Sequence, residues 1–74
     1  MAQYTDQAIA LLSTVALREE LPERDLEKGT VGTVVELLGD EVYEVEFCDD
    51  DGETVDQCSI SGHLLTVLPR ESQL

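Results

Sequence analysis

EKGTVGTVVELLGDEVYEVEF, Glu27 to Phe47, holds two alternating runs of apolar and polar residues separated by Gly39-Asp40. An extended chain sends successive side chains to opposite faces. From Thr30 to Leu38, Val31, Thr33, Val35 and Leu37 share one face; Thr30, Gly32, Val34, Glu36 and Leu38 share the other. Gly39-Asp40 reads as a hairpin turn. In the second half Tyr43, Val45 and Phe47 point one way and Val42, Glu44 and Glu46 the other. Carboxylates seek water, so Tyr43, Val45 and Phe47 are expected to face the core. Gly32 within a strand predicts a bulge or a sharp bend.

Upstream, Val15 and Leu17 alternate with Thr14, Ala16 and Arg18 and read as a preceding strand. Pro22 breaks that strand, and Leu26, the one apolar residue of the following polar loop, should tuck beneath the domain. Downstream, CDDDGE is a second turn, in which Gly52 can take positive φ. TVDQCSI is a third hairpin-linked strand. SGHLL reads as a tight turn, and LTVLP as a closing strand stopped by Pro69. Five short strands with hairpins between the middle three indicate a small, highly bent barrel. Residues 1–13 form an N-terminal arm, helical or extended: Ala8, Leu11 and Leu12 lie at helical spacing, and Thr5 can cap a helical turn over Thr5 to Leu12. The barrel domain is expected over 14–69, and residues 70–74 are a C-terminal tail.

The chain has 74 residues, enough for one domain with a small core. Its formal net charge is −13, from 17 acids against 4 bases. No Lys or Arg occurs between Lys28 and Arg70, where ten acids fall: Glu36, Asp40, Glu41, Glu44, Glu46, Asp49, Asp50, Asp51, Glu53 and Asp56. Phosphate backbones and anionic bilayers both require clustered bases, so neither nucleic acid nor a membrane surface is an expected partner. Plain solubility is one reading of the charge; a basic protein partner, steered by the field, is the other. MAQYTDQAIALLS has neither the basic start nor the apolar length of a secretory signal, and no apolar run approaches the roughly 20 residues of a membrane span. A cytoplasmic protein is the expectation, and two cysteines, Cys48 and Cys58, suit a reducing compartment.

Several pieces together resemble a known family. Leu21-Pro22, the Lys28 to Val35 strand with its Lys-Gly-x-x-Gly-Thr-Val-Val pattern, Tyr-Glu-Val-Glu-Phe at Tyr43 to Phe47, the Asp51-Gly52 turn and the closing Leu65 to Leu68 look like the bacterial family catalogued as domain of unknown function 4926. The similarity runs from about Thr14 to Pro69. It implies a mainly β, small five-stranded SH3-like barrel, also similar to KOW-type modules, and no established activity. A role as an antitoxin or immunity protein, neutralising a basic, nuclease-like partner, would suit it.

Sites of chemistry are sparse. His63 is the single histidine, and nothing in strand or turn geometry brings Cys58 or Ser61 to it as a nucleophile, so it reads as a half-exposed turn residue. With the turn centred near Asp51, Cys48 should oppose Thr54 and Cys58 should oppose Glu44, on one sheet face but beyond disulfide reach. Both thiols are expected to be semi-buried apolar groups. One His and two scattered Cys fall short of a zinc site. Asp49 to Glu53 fails the EF-hand pattern, because the sixth and twelfth positions hold Thr54 and Ile60. Glu44 and Glu46 have a glycosidase-like separation, but a barrel this small encloses no cleft. No enzyme, cofactor or metal site is therefore expected. The candidate partner-binding residues are Glu36, Glu44, Glu46, Asp49, Asp50, Asp51 and Asp56, making one side of the curled sheet wholly anionic, with Glu36 and Asp56 on neighbouring strands of that surface. The alternative is a structural or regulatory subunit that forms a homodimer or higher homo-oligomer through the arm or the sheet edge.

Overall fold

The computed structural model describes residues 9–69. The alternating segments form five strands: β1 (Thr14–Leu17), β2 (Val31–Gly39), β3 (Val42–Cys48), β4 (Thr54–Ser61) and β5 (Leu65–Val67). They make one antiparallel sheet in the order β4-β3-β2-β1-β5. Two short 3₁₀ turns punctuate it, Pro22–Arg24 after β1 and Gly62–Leu64 before β5. The second is the tight turn expected in SGHLL. Among the described residues there is no α-helix.

All five strands contribute to one core: Val15 and Leu17 from β1, Val34 from β2, Val45 and Phe47 from β3, Cys58 and Ile60 from β4, and Leu65 from β5. Leu26 joins them from the β1–β2 loop, where a bridge between Leu21 and Leu26 folds the loop back on itself. Tyr43 packs against the cluster half-buried. Val15, Val34, Val45 and Phe47 are 0% exposed, and burying each such side chain stabilises by about 1.5–3 kcal/mol. The inward direction of Tyr43, Val45 and Phe47 holds, and with it the outward direction of Glu44 and Glu46.

Gly32 does not mark a bulge. It sits in register opposite Phe47, and a Cβ there would lie 2.8 Å from the Glu46 carbonyl oxygen, Phe47 Cδ1 and Val45 Cγ1. Glycine is needed for close approach. The β2–β3 irregularities come later: Val34 opposes Val45 but Glu36 opposes Glu44, and Leu37 opposes Tyr43 but Gly39 opposes Val42. Val35 and Leu38 are the extra residues. The first bulge moves Glu36 off the face of Gly32 and Val34 and onto that of Glu44. The hairpin turn is also one residue later than the expected Gly39-Asp40. Its central pair is Asp40-Glu41, both with positive φ (54° and 61°), the type I′ geometry that matches strand twist.

A third irregularity decides the far side of the sheet. Cys48 opposes Thr54 as expected, yet Phe47 opposes Asp56, leaving Val55 unpaired. Every later pair is shifted by one, so Cys58 opposes Val45 rather than Glu44. A one-residue shift turns a side chain to the opposite face. Cys58 therefore enters the core while Cys48 is exposed, and the expectation that both lie on one face is corrected.

The expected helical turn over Thr5 to Leu12 falls partly outside the described residues. Within them, Leu11-Leu12 form a simple turn, in which Ser13 N–H donates to the Ala10 carbonyl at 3.0 Å. Leu12 N–H donates to the Val34 carbonyl (2.7 Å) and Val34 N–H to that of Ser13 (3.0 Å), so the chain is tied to the sheet before β1 begins.

Candidate functional site

The outer face of the sheet carries the acids of β2 and β3. Glu36 and Glu44 stand directly opposite across the two strands. Glu46 lies two residues along β3, opposite Thr33 on β2 and Gln57 on β4. Hydroxyl and amide donors from β4 partly satisfy these carboxylates. Gln57 Nε2 donates to Glu44 Oε2 at 3.2 Å, and Thr54 Oγ1 donates to Glu46 Oε2. No basic side chain is paired with Glu36, Glu44 or Glu46 among the described residues. The face is not wholly anionic, however. Toward β1 and β5 its register positions hold Thr14, Ala16, Val31, Thr33 and Thr66, all uncharged. Only three acids crowd its centre, because β1 and β5 carry none.

Asp49, Asp50 and Asp51 occupy the β3–β4 turn and are exposed. Asp49 is committed to the turn itself. Its Oδ1 accepts from the backbone N–H groups of Asp51 and Glu53, both at 2.9 Å, and its carbonyl accepts from Gly52 N–H at 3.0 Å. Asp50 and Asp51 are left to project into water.

Asp56 is not part of the outer face. The Val55 bulge places it in register with buried Phe47, on the inner side and separated from β2 by β3. Its carboxylate meets Arg24 from the β1–β2 loop, with Nη1 3.3 Å from Oδ1 and 3.5 Å from Oδ2. Oδ1 also accepts the Gln57 backbone N–H at 2.8 Å. This ion pair had no local signal in the sequence, since Arg24 and Asp56 are 32 residues apart.

The remaining candidates stay apart. His63 is exposed on the 3₁₀ turn before β5, while Cys58 is buried in the core on β4, opposite Val45. Burial pushes the Cys58 thiol up from its ordinary 9.0; Arg24 opposes the rise, and Asp56, Glu44 and Glu23 add to it. A raised thiol is a weaker nucleophile at neutral pH. Among the described residues, no group of three or more His, Cys, Asp or Glu is placed to hold a metal ion. No helix among them is long and apolar enough to cross a membrane. What the arrangement offers chemically is carboxylate acceptors on a rigid sheet.

No curated protein and no solved structure matches the chain. A family profile does, over residues 11–67, and that span covers every strand of the sheet. The chain thus belongs to the family described as Domain of unknown function (DUF4926).

Proposed function

We propose that this protein is a non-enzymatic, cytoplasmic interaction module that engages a basic protein through its acidic sheet surface and β3–β4 turn. The observation that carries this reading is the placement of Glu36, Glu44 and Glu46 together on the outer face, with no basic side chain paired to them among the described residues. Directly opposed like charges destabilise a sheet, so a cationic surface brought against them relieves a repulsion already present. Asp50 and Asp51 extend the same field at the sheet's end. A nuclease-like toxin is a fitting partner class, because its nucleic-acid site must be cationic and could be blocked by charge mimicry, as an antitoxin or immunity protein would do. In this reading the sheet curls as a partly open SH3-like barrel whose β4 edge is left unpaired. What supports this curling is that Val15, Val34, Val45 and Phe47 are 0% exposed although the described residues form a single sheet with no second layer.

The test is a titration against a strongly basic protein across a salt series, using the wild type and the E36Q/E44Q/E46Q variant. Binding that weakens steeply with salt and is reduced at least tenfold by the variant supports the reading. Binding indifferent to both overturns it.

A second reading is favoured by one observation. Leu11 and Leu12, 52% and 70% exposed, line an open groove with Ser13, Thr14, Val67 and Leu68 that contains no charged residue. A self-association surface on so anionic a molecule would need such an acid-free patch. Light scattering on a chain lacking residues 1–12 tests it: a fall from oligomer to monomer supports self-assembly, and an unchanged monomeric mass removes it.

A further inference from the structure

The outer edge of β4 has its own recognition chemistry. Among the described residues β4 pairs only with β3, so its other side is a sheet edge. Which groups face that edge follows from the ladder. Gly62 N–H donates to the Glu41 carbonyl at 2.8 Å, just beyond the Val42–Ser61 pair. Hydrogen-bonded and non-bonded pairs alternate in an antiparallel ladder. Tyr43–Ile60, Val45–Cys58 and Phe47–Asp56 are therefore the bonded pairs, and Ser61, Ser59 and Gln57 turn their backbone groups away from β3. The Gln57 amide confirms the phase, since it bonds Asp56 Oδ1 instead of β3.

Asp56 stands near the start of this edge, with Glu53 just before the strand and Glu44 on the adjoining β3, and one of the protein's own cations meets Asp56. Arg24 reaches Asp56 from a distant loop and rests at the head of the edge with its guanidinium at 3.3 and 3.5 Å, longer than a well-made charged pair. Its side chain stays 43% exposed. It is a loosely held cation in a place that an incoming arginine could take.

We propose that the β4 edge receives an extended, arginine-bearing segment of a protein partner as an added strand, with one arginine displacing Arg24 from Asp56. The Gln57 carbonyl and the backbone groups of Ser59 and Ser61 supply the pairing, as in other cases of strand addition. Asp56 supplies the register. The acids that flank the edge discourage pairing with a second, equally acidic copy and favour a basic strand. This rests on the proposed engagement of a basic protein and specifies where and how it occurs.

The test uses a short synthetic peptide alternating arginine and valine, in three forms: unmodified, and N-methylated at either its odd or its even residues. Only one set of backbone amides faces the protein in strand addition. One methylated form should bind like the unmodified peptide and the other should lose at least tenfold. Arg24→Ala frees Asp56 and should tighten binding of the unmodified peptide about three- to fivefold, the scale of one exposed ion pair. Equal binding of all three peptides, or no gain with Arg24→Ala, overturns the edge proposal. If those results accompany a strong loss with E36Q/E44Q/E46Q, the outer-face reading survives alone. If no basic peptide or protein binds, both fall.

Discussion

Phe47 and Asp56 face each other across β3 and β4, a fully buried aromatic opposite a carboxylate. The pairing exists because Val55 is an extra residue in β4, and it determines which side of the sheet each later β4 residue occupies. Asp56 and Cys58 turn inward; Gln57 and Ser59 turn outward, where Gln57 reaches Glu44.

The Glu36–Glu44 opposition should be measurable as strain on the fold. Glu36→Lys converts a repulsive cross-strand pair into an attractive one and is expected to stabilise by about 0.5–1 kcal/mol. A rise in urea midpoint at low salt that shrinks in concentrated salt checks both the sign and the electrostatic origin.

Gly32→Ala places a methyl within 2.8 Å of the Glu46 carbonyl and two core side chains. The backbone oxygen cannot rotate away, so β2 and β3 must separate. A loss of about 1–3 kcal/mol is expected from overpacking alone, read from the denaturant midpoint. Retained stability would mean that the strands do not approach this closely.

Glu41 holds the second central position of the type I′ turn at φ 61°, where a Cβ is unfavourable. Relief of the left-handed cost, about 1–2 kcal/mol, outweighs the extra unfolded-chain freedom that glycine brings, about 0.4–1 kcal/mol, so Glu41→Gly is expected to stabilise by about 0.5–1 kcal/mol, provided the Gly62 N–H to Glu41 carbonyl bond is kept. Thermal unfolding of the variant tests this directly.

The two thiols should behave differently. Cys48 is exposed and Cys58 buried, so a thiol reagent at neutral pH should modify one group per chain quickly and the second only on unfolding. Burial raises the Cys58 pKa above 9.0, so the folded state holds this proton more tightly than the unfolded chain. Its contribution to stability is full below pH 9.0 and is lost as pH rises through the folded value. Wild type should therefore lose more stability than Cys58→Val between pH 8 and the alkaline range, and equal losses would contradict this burial.

Much of this fold was legible in the chain. Tyr43, Val45 and Phe47 announced the core side of β3 by strict alternation with glutamates, and the five strands and their turns followed from local residue types. What period-two reasoning could not locate were the single-residue bulges at Val35, Leu38 and Val55. A bulge costs one position of register and has no distinctive residue here; Gly32, the residue that looked like one, is a packing contact. Those bulges decided the site. One brought Glu36 beside Glu44, and another withdrew Asp56 from the outer face and sent Cys58 into the core. Arg24 was invisible for a different reason, because an ion pair across 32 residues depends on how the β1–β2 loop folds over β4.

The register of β3 against β4 is the claim from which the outer acids, the inner Asp56 and the open β4 edge all follow. Proton NMR reads it directly, because the Hα atoms of a non-hydrogen-bonded antiparallel pair come within close range. A strong Hα–Hα contact between Glu46 and Gln57, with none between Glu46 and Asp56, is the predicted result. A contact between Glu46 and Asp56 would erase the Val55 bulge and contradict the account.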